Sequence, residues 1–153
     1  MAYFGFDRLN GNPFSAIEAA LEFKREFPAI KRLSAIYCKK HNRKVETPID
    51  LKCGIENGPA FFHYFNRPTR NSVIVLGKTL NFASRLEGLA KDDQIIVSKD
   101  LKAMIKKFYD LRKKNIPKKD IKSYKEVKFV YILKGRRKGV RPNIDYSPEI
   151  FST

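Results

Sequence analysis

Between Val73 and Val97 two short apolar runs flank a single helical stripe, and that order leaves few folds open to the chain. Val73 to Leu76 reads as a strand that Gly77 interrupts, and Thr79 is a suitable cap for a helix from Leu80 to about Ala90. In that helix Phe82, Ala83, Leu86 and Ala90 share one face, while Asn81 and Arg85 stack on an adjoining face. Gln94 to Val97 is a second strand, and Ser98 caps a basic helix that runs through Ala103, Met104, Ile105 and Phe108. A helix apolar on one side only must lay that side on a sheet.

The flanking sequence supplies more of the same elements. Ala2 to Phe6 reads as a short strand, after which Asn12 caps a helix with Pro13 in its first position, where the missing amide hydrogen costs nothing. Phe14, Ile17, Leu21 and Ala20 form its apolar stripe. Pro28 is expected to kink or end this helix near Phe27, and a second piece with Ile30, Leu33, Ile36 and Tyr37 carries the pattern to about Lys40. His41 to Thr47 is a polar loop. Ile49 to Glu56 and Ala60 to Phe65 read as strands in a hairpin-like connection across Asn57, Gly58 and Pro59, and Asn66 to Asn71 is a second polar turn. Leu111 to Ser123, rich in Lys, Asn and Pro, reads as an exposed loop, and Val127 to Leu133 as a closing strand. The expected fold class is therefore α+β, with helices packed on a mainly antiparallel sheet over residues 1–134 and a basic tail over 135–153.

Charge is the second constraint. Thirty-two Lys and Arg against sixteen Asp and Glu leave a net +16, a field that attracts phosphates, nucleic acids or anionic headgroups without choosing among them. Cys38 and Cys53 are the only cysteines, which excludes a disulfide framework and a four-thiolate metal site. No stretch approaches the roughly 18 apolar residues of a membrane span, and the opening MAYFGFDRLNGNP lacks the layout of a signal peptide, so a cytoplasmic protein is expected. His41 and His63 have no metal-ligand spacing and read as structural or exposed residues.

The residues with chemistry to offer are Asn81 and Arg85. Arg presents a planar fork of donors to phosphate oxygens, and Asn can hydrogen-bond a sugar ring oxygen or an oxygen gaining charge. Their context, VIVLGKTLNFASRLEGLAKDDQIIVSKDL, resembles the run in class III adenylyl and guanylyl cyclases in which a strand, a Gly, an Asn-x-x-x-Arg helix and an I-I-V-S strand follow in order. LKCGIENGPAFF resembles that family's strand ending in Gly-Ile-x-x-Gly-Pro, and KEVKFVYIL its closing strand. The resemblance covers roughly residues 2 to 134 and implies a ferredoxin-like, cyclase-type antiparallel-rich sheet. It also implies two domains paired head to tail, one supplying two metal-binding aspartates and the other the Asn and Arg. On that reading Asn81 orients the ribose of a nucleoside triphosphate and Arg85 stabilises charge on its α-phosphate. A lysine of the last loop, Lys125 first and Lys122 second, contacts the terminal phosphates, and Ile74 takes the base-selecting position.

Three departures qualify the resemblance. The family's metal aspartates precede the helix that corresponds to Pro13–Phe27, and neither has a place in this sequence; Asp7 resembles the exit of a strand rather than a ligand position. Ile74 is a hydrocarbon where base-reading cyclases often have Asp or Thr. Phe61, Phe62 and His63 replace small residues. Two-metal chemistry needs carboxylates, so no metal is expected on this chain alone, and Mg or Mn only with a metal-competent partner. The expected role is that of a cyclase-homology domain acting as complementary subunit or regulator, as a homodimer or as a heterodimer with another cyclase domain. The alternatives are a degenerate nucleotide-binding domain, or a basic nucleic-acid-binding protein with Tyr64 and Phe65 beside Arg67 and Arg70 as a stacking platform.

Overall fold

The computed structural model describes residues 13–44, 49–67, 70–116 and 128–142. The expected strand Ala2–Phe6, the Asn12 cap and Asp7 lie outside the described residues, as do Lys122, Lys125 and the end of the chain.

Helix α1 (Pro13–Lys40) runs unbroken through Pro28, against the expectation of two pieces. An internal proline removes one backbone donor and costs about 3 kcal/mol or more, so contacts on either side of it must hold the helix together. Phe27 is buried just before it. Just after it, Lys31 Nζ reaches Asp50 Oδ1 at 2.9 Å and Asp93 Oδ2 at 3.0 Å. Asp93 also accepts the Leu51 amide at 3.1 Å, and that bond, with the Lys31 ammonium, holds its carboxyl below the usual range. The second half of α1 is thus tied to the segments that lead into two strands of the main sheet.

That sheet contains β1 (Lys52–Ile55), β4 (Gln94–Val97), β5 (Tyr109–Asn115) and β6 (Phe129–Arg136), in the order β1-β4-β6-β5. β1 and β4 are parallel, whereas β6 is antiparallel to both β4 and β5. The alternation of each strand divides the core between its two faces. Ile95, Val97 and Leu133 pack with Ile17 of α1 and with Leu101 and Ile105 of α3 (Lys99–Ile105). Ile96 and Val130 pack on the opposite face with Leu86 and Ala90, in and just after α2 (Lys78–Gly88). Ser98 caps α3 as expected, accepting the Leu101 amide at 3.0 Å.

Three strand assignments differ from the sequence reading. The first part of the loop expected over Leu111 to Ser123 is strand, β5, in which Tyr109 is buried and Leu111 packs against the core while charged residues fill the intervening positions; residues 117–123 lie outside the described residues. Lys and Arg suit a strand at the edge of a sheet, because they keep the open edge solvated. β1 does not form a hairpin with β2 (Phe61–Arg67); it joins the main sheet, and β2 pairs with β3 (Arg70–Leu76) in a separate antiparallel ribbon. The polar turn from Asn66 to Asn71 is largely strand, with residues 68–69 between the two partners. The boundary drawn after residue 134 falls within β6, whose Gly135 and Arg136 still pair with β5.

The position of β1 is set by Gly54. A Cβ there would lie 2.3 Å from both the Ala83 carbonyl oxygen and the Glu87 amide nitrogen of α2. Only a glycine lets strand and helix backbones approach this closely.

Candidate functional site

Helix α2 starts two residues before the expected Leu80. It begins at Lys78 after Gly77, with no side-chain cap, and ends at Gly88. Thr79, the expected cap, instead donates its hydroxyl to the Pro59 carbonyl at 2.8 Å. Gly58 lies against it, since a Cβ at Gly58 would meet Thr79 Oγ1 at 2.7 Å. The first turn of α2 is therefore pinned to the connection between β1 and β2. At the far end, Lys114 of β5 donates to the Leu89 carbonyl, and desolvation, with Lys91 nearby, lowers its pKa. A cation at the last carbonyls of a helix also complements its dipole.

Held at both ends, α2 turns Leu86 into the core, with Phe82 packed against the same cluster, and leaves Asn81 and Arg85 exposed in one row. The structure thus brings these two residues one helical turn apart on an accessible face, as their spacing predicted. Ile74 lies in β3, three residues before Gly77, and is partly exposed opposite His63. Lys125 and Lys122 lie outside the described residues.

Among the described residues, no group of three or more His, Cys, Asp or Glu side chains is placed to hold a metal ion. Both histidines sit beside aromatic rings, His41 at 4.4 Å from Tyr37 and His63 at 4.3 Å from Phe65 between centroids. Among the described residues, Glu18 is buried and Glu56 half-buried, and both have structural partners. Glu18 accepts Arg136 Nε at 2.7 Å and the Tyr109 hydroxyl at 2.7 Å, tying α1 to β5 and β6. Glu56, beyond the end of β1, accepts Ser98 Oγ at 2.8 Å and the Asn57 amide at 2.9 Å. Burial is the larger influence on Glu56 and raises its pKa despite those two bonds. Sequence reading passed over both. Glu18 had a signal, since it interrupts the stripe of Phe14, Ile17 and Leu21; Glu56 had none, because its partner is distant in sequence.

The chain is similar to several solved structures. The adenylyl cyclase CyaB from P. aeruginosa is 21% identical with a TM-score of 0.60, the alignment covering 90% of this chain and 68% of that one. The guanylate cyclase domain of RhGC from Catenaria anguillulae, solved in complex with GTP, is 18% identical with a TM-score of 0.65, over 88% of this chain and 66% of that one. The non-canonical dimeric guanylyl cyclase domain of the RhoGC fusion protein from the aquatic fungus Blastocladiella emersonii is 21% identical with a TM-score of 0.50, over 60% and 47%. The chain thus spans between 47% and 68% of the length of these structures. At such identities the likeness speaks for the fold alone. A search of curated proteins by sequence returns no match. The family profile of the adenylate and guanylate cyclase catalytic domain matches residues 15–135, most of the chain, including α2 with Asn81 and Arg85 and all four strands of the main sheet. By that match the chain belongs to the adenylate and guanylate cyclase catalytic domain family.

Proposed function

We propose that this chain supplies the Asn and Arg half of a nucleotidyl cyclase site and works as the complementary subunit, or the regulator, of a metal-competent cyclase domain. The observation that carries this reading is the exposed row of Asn81 and Arg85 on a helix fixed at both ends, within a cyclase-family fold whose described residues hold no metal-ligand cluster. A rigid helix suits the task, because a group that stabilises developing charge works by being in place beforehand.

Asn81 hydrogen-bonds the ribose and fixes the direction of its 3′-hydroxyl. Arg85 meets the α-phosphate, where charge grows as the hydroxyl attacks and pyrophosphate departs. Lys125, or Lys122 in its place, meets the terminal phosphates, and Ile74 closes the base pocket with an apolar wall. Divalent metals, which a metal-competent partner would hold with its carboxylates, would supply the activation of the hydroxyl and offset phosphate charge. The exposed side chains of the β2–β3 ribbon, Phe61, Tyr64 and Leu76 among them, support pairing with a second domain.

The test is complementation. A cyclase domain that keeps its metal aspartates but has lost its own Asn and Arg is mixed with this protein, and cyclic nucleotide is measured. Activity that appears on mixing and disappears with Asn81→Ala or Arg85→Ala establishes the complementary role. If mixing changes the activity of an intact cyclase and neither substitution matters, the chain acts as a regulator through pairing. No effect of any kind refutes both.

A further inference from the structure

A second surface, on the other side of the sheet from α2, has a use the cyclase reading does not give it. Phe129 and Tyr131 occupy alternate positions at the start of β6 and therefore lie on one face, with their rings edge to face at 5.8 Å. Each ring carries a lysine. Lys113 Nζ of β5 stands 4.1 Å from the centroid of Phe129, and Lys102 Nζ of α3 stands 5.1 Å from that of Tyr131. Both rings are half-buried. Tyr131 packs against the cluster shared by α1 and α3, whereas Arg85 belongs to the helix that covers the opposite face.

Two aromatic faces with a cation over each can accept successive bases and the phosphates between them. A lysine over a ring covers a face that attracts charged and polarisable groups, and a base can take its place by displacing the ammonium onto an adjacent phosphate. The chain's charge fits the same ligand, at net +16. β5 is an edge strand among the described strands, so a strand of nucleic acid can approach from the side.

We propose that this margin of the sheet binds single-stranded nucleic acid, stacking unpaired bases on Phe129 and Tyr131 and drawing phosphates to Lys113 and Lys102. Duplex DNA keeps its bases stacked on one another and offers these rings nothing. The site is independent of Asn81 and Arg85, whose helix covers the other side of the sheet, and its rings are not those of the β2–β3 ribbon, Tyr64 and Phe65.

The experiment titrates the protein into a labelled oligothymidylate of about twelve nucleotides, within the site size of a single-strand binder, and into a duplex of the same length at the same salt. Single strand should bind the more tightly. Tyr131→Leu should weaken it roughly tenfold, as loss of one stacked base does, while Tyr131→Phe stays within about twofold, since a phenyl ring still stacks. Lys113→Gln should cost more than Lys134→Gln, a removal of equal charge on the opposite face of β6. Arg85→Ala should leave the affinity unchanged. Should Tyr131→Leu fail to fold, the wild-type protein still decides the matter by nuclear magnetic resonance, where bound bases shift the Tyr131 ring protons upfield. Equal affinity for duplex and single strand, equal effects of the two lysine substitutions, or an unshifted Tyr131 ring at saturation would each overturn the proposal.

Discussion

β4 and β3 are both short apolar strands, yet they have opposite fates. Ile95 and Ile96 of β4 are fully buried between helices on the two faces of the main sheet, while Ile74 of β3 is 44% exposed and Leu76 61%. Opposite Leu76 in the ribbon, Phe61 is 76% exposed. The difference lies in what each strand is hydrogen-bonded to. β4 sits between β1 and β6, with helices above and below, whereas among the described strands β3 pairs with β2 alone. A two-stranded ribbon has no interior of its own, so its apolar side chains stay in solvent or meet another surface. Apolar patches of that kind commonly mark sites of association, and this is why the ribbon supports the paired-domain proposal.

The sharpest way to break the comparison is at Gly54. Gly54→Val should be the most damaging single change in the chain, costing more than about 4 kcal/mol or preventing folding, because its side chain meets the backbone of α2 with nowhere to move. Gly88→Ala is the control: nothing lies within 4 Å of its added carbon, and the helix should gain up to about 1 kcal/mol. Denaturant unfolding of both variants checks this. Equal stabilities would mean that α2 is not seated on β1.

Next in size is a matched pair of truncations. Ile96→Ala should destabilise the protein by about 2–5 kcal/mol through its cavity, and Ile74→Ala by less than about 0.5 kcal/mol when dilute. If the ribbon docks against a second chain, Ile74→Ala should also lower the association constant in sedimentation. A large effect of Ile74→Ala on a monomer would place the ribbon in the core.

A smaller effect is expected at the tie between α1 and the sheet. Glu18→Ala removes the acceptor of Arg136 and of the Tyr109 hydroxyl, and about 1–3 kcal/mol should be lost. Arg136 is half exposed and can turn to water, which keeps the loss below that of a fully buried pair. Chemical denaturation monitored by circular dichroism measures it. A loss of under about 0.5 kcal/mol would show that apolar packing alone holds α1 in place.

The smallest effect should depend on pH. Burial raises the pKa of Glu56 above its ordinary value, so the folded protein binds its proton more tightly than the unfolded chain does. Its contribution to stability is therefore fully present below the ordinary carboxylate range and is lost as pH rises through the raised value. Glu56→Gln keeps an acceptor for Ser98 and carries no charge. The variant should match wild type in acid and become relatively more stable as pH rises, as thermal melting across that window would show. A constant difference at all pH values would mean that Glu56 does not titrate differently in the fold.

What could be read without the structure was whatever depends on neighbours along the chain. The helical stripes on either side of Pro28, the strand Gln94–Val97, the Ser98 cap, and the placing of Asn81 beside Arg85 all follow from spacings of a few residues, which a helix or strand converts directly into a shared face; that α1 runs on through Pro28 does not. The family resemblance was legible for the same reason, since its motif is continuous from Val73 to Leu101. The tertiary structure alone decided which strands pair, because pairing is a competition between distant segments. It took β1 from the expected hairpin and put it under α2, where Gly54 admits the helix, and it made a strand of the polar run after Leu111 by offering it the edge of β6. It also decided burial. Local pattern cannot tell Ile96 from Ile74, since both belong to apolar strands, and only the helices packed on the sheet bury one and leave the other in solvent.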